Sequence, residues 1–517
     1  MEKKNFFKKA MIISFSLAAI SFIPVACSSG KTDTGKEDQQ VIDDIVANFE
    51  KLAAIPRKSG HEQAVGEMLK NWARDQGLEV RQNEAGDLFF DVPATKGYED
   101  LPLTCLQAHI DMVCVARDGV DYDPLTDPIK IVIDDEKQIM SADGTSLGAD
   151  DGIGVAMIMS ITEGKTEHGP LRVIFTTDEE VGFSGAMAVE AGDLKDVKYL
   201  LNIDSEVSDT LTVSSAGGSS VVATADPIVV TSEKDSAVKI EIAGLMGGHS
   251  GQTIGEGRVN GITELCRLLK DMKEKTDFDI VSITGGQADN AIPDKAAAII
   301  NIEESDKKAA GDFARAREKE INDKYAGVEN DVKITVSENE KSDKTLAGEQ
   351  ADNILTYVTE SIDGVYSMSE DVEGLVESSS NTGHIKADAD GIEIRQMPRS
   401  SSDEKLEEIH EYQKELALKT GLDITVTVDT KAWPVNPDSV LAVQIPEIYK
   451  KQNGKEMTVT GLHAGLECAE FYRIDDSIDM VSIGPDIDEV HSPNEVVHLD
   501  SIPVTWNVLK ELLTSLK

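Results

Sequence analysis

The stretch LRVIFTTDEEVGFSG, residues 171–185, sets an apolar run against three consecutive carboxylates and then glycines. The run over 171–176 reads as a buried strand, and Asp178, Glu179 and Glu180 follow where it ends. Three adjacent acids repel one another, so they form either a solvated turn or a cradle for a cation. Similar strand-like runs stand around them: LEVRQ (78–82), DLFFDV (87–92), LPLTCLQAHIDMV (101–113) and YLLNID (199–204). Between them GVAMIMSIT (154–162) reads as a buried helix. Strands alternating with helices predict an α/β domain, with a mostly parallel sheet and helices on both faces. In such sheets ligand sites gather at the carboxyl ends of the strands, which is where these acids stand.

Other predicted strand ends carry residues of metal-ligand type. AHIDMV supplies His109 and Asp111, which share one face of a strand because they are two residues apart. LGADDGIG supplies Asp150 and Asp151 in a glycine-flanked loop before a helix, LNIDSE supplies Asp204, and EVHSPNE supplies His491. Each alone is weak, since a lone HxD is most often structural and an acidic pair is most often a solvated turn. Their combination at the ends of one sheet points to a metal centre. Mixed imidazole and carboxylate donors suit zinc, with manganese or cobalt as alternatives.

The rest of the chain bounds this reading. Its 517 residues exceed what one core usually holds, so more than one domain is expected. Acids outnumber bases 95 to 50, and a net charge of −45 disfavours nucleic acid and anionic membrane surfaces as partners. The five cysteines are dispersed without a CxxC, against a disulfide framework or a thiolate zinc site. No HExxH helix, phosphate loop or GxGxxG turn occurs.

Residues 1–27 join a basic start to an apolar stretch ending at Ala26-Cys27. This has the form of a secretory signal and resembles a bacterial lipoprotein signal, with Cys27 as the lipidated residue. It predicts an extracytoplasmic protein held to the membrane by an N-terminal lipid, with a secreted form or an uncleaved anchor as alternatives. Residues 28–40 read as a polar tether. The catalytic domain is expected over 41–220 and 431–517. The antiparallel texture between them predicts an inserted α+β lid or substrate domain at 221–430.

In order, HxD, GADDG, DEE, NIDSE, GGHSG and HSPNE resemble the di-zinc exopeptidases that include aminoacylases and carboxypeptidase-like enzymes. QAHIDMV, LGADDGIGVAM, NAIP and HAGLECAEF are similar to their Xaa-His dipeptidase branch, also called peptidase D or cytosol non-specific dipeptidase. The resemblance implies two zinc ions per subunit, with Asp150 bridging them. His109 and Asp204 would complete one site, and Glu180 and His491 the other. It implies that Asp111 steadies His109, that Glu179 is the general base, and that His249 polarises the scissile carbonyl. Asn290 and Arg399 would hold the C-terminal carboxylate of a dipeptide. Two divalent cations would then offset the repulsion within the DEE turn, leaving Asp178 as a turn residue.

Asp151 stands where these dipeptidases often have Asn, Asp294 stands where Arg is usual, and the N-terminal signal is unusual for the branch. No role follows for Asp151, His463 or Glu467. The resemblance leaves open whether His249 acts in its own subunit or across a homodimer. The competing readings are an N-acyl-amino-acid deacylase of the same fold and a non-catalytic peptide-binding lipoprotein.

Overall fold

The computed structural model describes residues 34–329 and 331–517. Cys27 and the signal-like segment lie outside the described residues. Among those described, no helix is long and apolar enough to cross a membrane, and Cys105, Cys114, Cys266 and Cys468 are free thiols.

The chain divides into two compact units. The first comprises the described residues up to 214 together with 435–461 and 467–517, and the second residues 215–434 and 462–466. The second therefore begins and ends a few residues outside the expected 221–430. The strand Gly217–Ala225 spans the expected start, because its pairing with Asp423–Thr430 runs back to Gly218. Residues 34–40, expected in a tether, instead open the helix Thr34–Ala53. Side-chain hydrogen bonds four residues apart support the turns that follow, from Gln39 to Asp43 and from Gln40 to Asp44.

The first unit is built on an eight-stranded sheet whose centre is parallel. Thr104–His109 pairs in parallel with Leu171–Thr176 on one side and Tyr199–Asn202 on the other, and Asp479–Ser482 continues beyond Tyr199–Asn202. All residues of Thr104–His109 and Tyr199–Asn202 are buried, as expected of central strands covered on both faces. Phe49, Leu69, Ile153, Ile158 and Leu509 from the helices join Leu106, Val173 and Leu201 from the sheet in one core. The parallel register sets His109 opposite Thr176 and Gln107 opposite Asn202. The chain segments leaving these strands therefore emerge side by side at one end of the sheet.

A small antiparallel sheet joins distant segments at the same unit. Val496–His498 pairs with Ile139–Ala142 on one edge and Ile487–Asp488 on the other. The loop between Asp488 and Val496 carries His491. The strand Ile139–Ala142 leads into the turn of Asp150.

The second unit is an antiparallel sheet with the helices Gly261–Lys273, Lys307–Lys324, Gly348–Glu360 and Asp403–Thr420. It has its own core, which includes Ile240, Leu265, Ile300, Ile354 and Ile394.

Candidate metal centre

Four loops at the strand ends of the first unit bring imidazoles and carboxylates together. His109 ends its strand fully buried. Its Nε2 lies 3.0 Å from Asp150 Oδ1 and 3.6 Å from Asp204 Oδ1. His491 is 48% exposed, and its Nε2 lies 3.1 Å from Asp150 Oδ2 and 2.8 Å from Glu180 Oε2. Asp150 thus turns one oxygen toward each histidine. Two donor triads result, His109–Asp150–Asp204 and Asp150–Glu180–His491, each with its ligand atoms within 4.8 Å of one another. A third grouping joins His109 to Glu179 and Glu180. This donor set fits a pair of metal ions sharing one carboxylate.

Asp111 does more than the strand alternation suggested. Its Oδ1 lies 3.2 Å from His109 Nδ1, though not aligned for a hydrogen bond. The same oxygen accepts the Glu179 N–H at 3.1 Å, and Oδ2 accepts the Glu180 N–H at 3.3 Å and the Ser59 hydroxyl at 2.8 Å. One carboxylate therefore holds the acidic turn by hydrogen bonds and stands beside the His109 ring. Asp178 adopts a left-handed conformation at φ 55° and accepts a hydrogen bond from Ser184 at 2.8 Å, the part of a turn residue.

The electrostatics reflect crowding of buried charge. Without a bound cation, burial opposes charge on His109, but Asp204, Asp111 and Asp150 outweigh it and raise its pKa well above the ordinary value. Hydrogen bonds to Asp150 and Glu180 push His491 up to about 11. Burial works against the Asp150 carboxylate, yet its contacts with the two histidines hold it below the usual range. Burial raises Glu179 well above the ordinary value; His109 opposes this, and the negative charges of Asp204, Glu180 and Glu467 reinforce it.

Metal ligands must be deprotonated, so these imidazoles give up protons when a cation arrives. Metal uptake at pH 7 is expected to release roughly two protons per chain, and affinity to fall as the pH drops. Calorimetric titration in buffers of different ionisation enthalpy measures this directly. Uptake with no proton release would mean that both imidazoles are neutral beforehand.

Asp151 is buried and accepts N–H groups from His109 at 3.3 Å and Gly154 at 3.1 Å. Burial, then the charge of Asp204, raises its pKa well above the ordinary value. A Cβ on Gly154 would lie 2.2 Å from both Asp151 Oδ1 and the Ile203 carbonyl, which is why glycine stands at this helix start. Glu467, fully buried, accepts hydrogen bonds from Gln107 at 2.5 Å and Thr176 at 2.8 Å, while Gln107 accepts one from Asn202 at 2.7 Å. This network ties three parallel strands together one step below the metal ligands.

His249, Asn290 and Arg399 lie in the second unit. His249 pairs with Ala291 in a short antiparallel bridge, and Asn290, on the same turn, is exposed. His249 Nδ1 accepts the N–H groups of Gly251 and Gln252, each at 3.2 Å, so its proton resides on Nε2. Burial, then the Arg399 charge, lowers the His249 pKa, which favours the neutral ring. Arg399 is 6% exposed, and its Nε has no hydrogen-bond partner. Beside it in register, Ser379 lies 2.7 Å from His463 Nε2.

Arg57, Ser59 and Glu495 are missing from the sequence-derived site. Glu495 belongs to the HSPNE motif that supplied His491, and nothing local to Arg57 marks it.

Comparison with known proteins matches residues 105–515 to the model of peptidase family M20/M25/M40. The cytosol non-specific dipeptidase of Escherichia coli is 30% identical over 468 residues, covering 90% of this chain and 96% of that protein. The structure of aminoacylhistidine dipeptidase from Vibrio alginolyticus superposes with a TM-score of 0.84 at 31% identity, over 92% of this chain and 96% of the other. Aminopeptidase PepT from Bacillus cereus, at a TM-score of 0.53 and 17% identity, shares the fold. The E. coli relative is named for the cytosol, which overturns the extracytoplasmic, lipid-anchored placement expected from residues 1–27. That expectation rested on N-terminal composition alone, whereas the match extends over nearly the whole chain.

Proposed function

The chain belongs to peptidase family M20/M25/M40, and from that premise we propose that it hydrolyses Xaa-His and other dipeptides at a two-metal centre. The observation that carries this reading is Asp150, whose two oxygens face His109 and His491 separately. His109 and Asp204 would hold one ion and Glu180 and His491 the other, with Asp150 common to both donor sets. Zinc suits this mixed donor set, with manganese or cobalt as substitutes. When bound, the ions polarise the peptide carbonyl and lower the pKa of water.

The chain's own residues do the rest. Asp111 holds His109 and the acidic turn in place. Glu179 takes the proton of the attacking water and passes it to the leaving amine nitrogen. His249 Nε2–H donates to the carbonyl oxygen as negative charge develops there. Arg399, with Asn290, receives the terminal carboxylate; a planar guanidinium can pair with it through two parallel hydrogen bonds. These roles assign the substrate contacts to the second unit. In a homodimer, His249 would serve either its own subunit or its partner.

The test is a panel of β-Ala-His, Gly-His, Leu-Leu and an N-acetyl amino acid, assayed with zinc and with chelator. Chelator-sensitive cleavage of the free dipeptides, restored by zinc, is the expected result. Turnover of the acetylated compound alone would replace the dipeptidase reading with a deacylase. Peptide binding without turnover would replace it with a binding protein.

A further inference from the structure

Four residues beyond His491 stands Glu495, a carboxylate only 2% exposed. Its Oε2 accepts the N–H groups of Leu147 at 2.8 Å and Gly148 at 2.9 Å. Its Oε1 accepts those of Ala149 at 2.7 Å and Asp150 at 3.3 Å. All four belong to the turn that carries Asp150 into the helix Ala149–Thr162. The first N–H groups of a helix have no partner within it and favour negative charge nearby. Here the chain supplies that charge from a segment almost 350 residues away, at a separation of 345 to 348 residues.

A buried carboxylate also needs a cation. Arg57, likewise 2% exposed, has Glu495 as its strongest attractive charge partner. Its guanidinium donates to the carbonyls of Ile110 at 3.2 Å, Asp111 at 2.6 Å and Gly148. Arg57 therefore links the loop after His109 to the Asp150 turn, and Glu495 links that turn to the loop of His491. The approach is close: Gly148 has φ 71°, and a Cβ there would lie 2.6 Å from Arg57 Nη2 and 2.7 Å from Met112 Sδ.

We propose that Glu495 is a positioning residue of the metal centre, which with Arg57 as counter-charge holds the Asp150 turn in the shape that shares Asp150 between the two histidines. This rests on the metal assignment proposed above. Its consequence is specific. Asp150 and His491 reach the metal as one preformed body, so loss of Glu495 weakens metal binding and leaves dipeptide binding alone.

The test is Glu495→Gln in the full chain. Glutamine keeps the size but offers one acceptor oxygen, and its NH2 faces backbone donors. Three quantities are read: zinc affinity by competition with a chromophoric chelator, the melting temperature of the chelator-stripped protein, and kcat with KM on Gly-His. Zinc affinity is expected to fall about 10–100-fold, the usual cost of losing an outer partner of a metal site. KM should be unchanged, and excess zinc should restore kcat. Unaltered zinc affinity would overturn the proposal, whether or not the melting temperature falls. If Glu495→Gln does not fold, Glu495→Asp decides by the same titration. It keeps the charge but is one methylene short, so weakened affinity supports the proposal and unweakened affinity refutes it. The zinc titration needs no substrate, so failure of every dipeptide to react would count against the dipeptidase reading without touching this one.

Discussion

Replacing Glu179 by glutamine is expected to lower kcat about 10²–10⁴-fold, the range for loss of a general base, while both metal ions stay bound. The separation of roles follows from the turn. Glu180 presents Oε2 to His491 at 2.8 Å, so Glu180 faces the donor cluster directly. Glu179 is held through its main-chain N–H on Asp111, which leaves its side chain free for the water. Burial and neighbouring carboxylates make that side chain more basic than an ordinary glutamate, which suits a group that must accept a proton and release it again. Glutamine preserves the shape and the backbone contact but cannot take the proton. The decisive comparison is single-turnover rate against metal content by atomic absorption. Near-normal turnover would remove Glu179 as the base. Loss of metal would make it a ligand, the role left open by its grouping with His109 and Glu180.

Asp150→Asn is expected to be more damaging to metal binding than any change in an outer partner, exceeding the ~10–100-fold typical of those. Both triads contain Asp150, and each histidine faces a different one of its oxygens. An amide provides one neutral acceptor oxygen and turns its NH2 toward the other histidine. Metal content should drop below two ions per chain, and dipeptide cleavage should fall to background at ordinary zinc concentrations. The apolar core does not depend on this side chain, so the circular dichroism spectrum should be retained. A variant that still binds two ions with unchanged affinity would dismiss the shared-carboxylate arrangement.

The general arrangement was legible in the residues. Apolar runs ending in His109, in the DEE turn and in Asp204 marked strands of a parallel sheet, because a strand buried on both faces has to be apolar until it reaches the solvent edge. The helix after Asp150 was equally plain. The first turns of the Thr34–Ala53 helix were not, because polar residues with helical propensity look like a tether until side-chain pairs form. The N-terminal composition also misled about location, since a local pattern was weighed without the rest of the chain.

By itself, then, the sequence determined the α/β class, the antiparallel texture of the central segment, and which residues at the strand ends are candidate donors. These are properties of periodicity and residue type, which act over a few positions. Only the tertiary structure decided how the donors are held. Asp111 grips the acidic turn, Arg57 joins two loops, and Glu495 caps a turn nearly 350 residues upstream of it, at a separation of up to 348. Hydrogen bonds between segments so far apart leave no periodic trace in either one. They exist because the parallel register and the small Val496–His498 sheet deliver those segments to the same end of the fold.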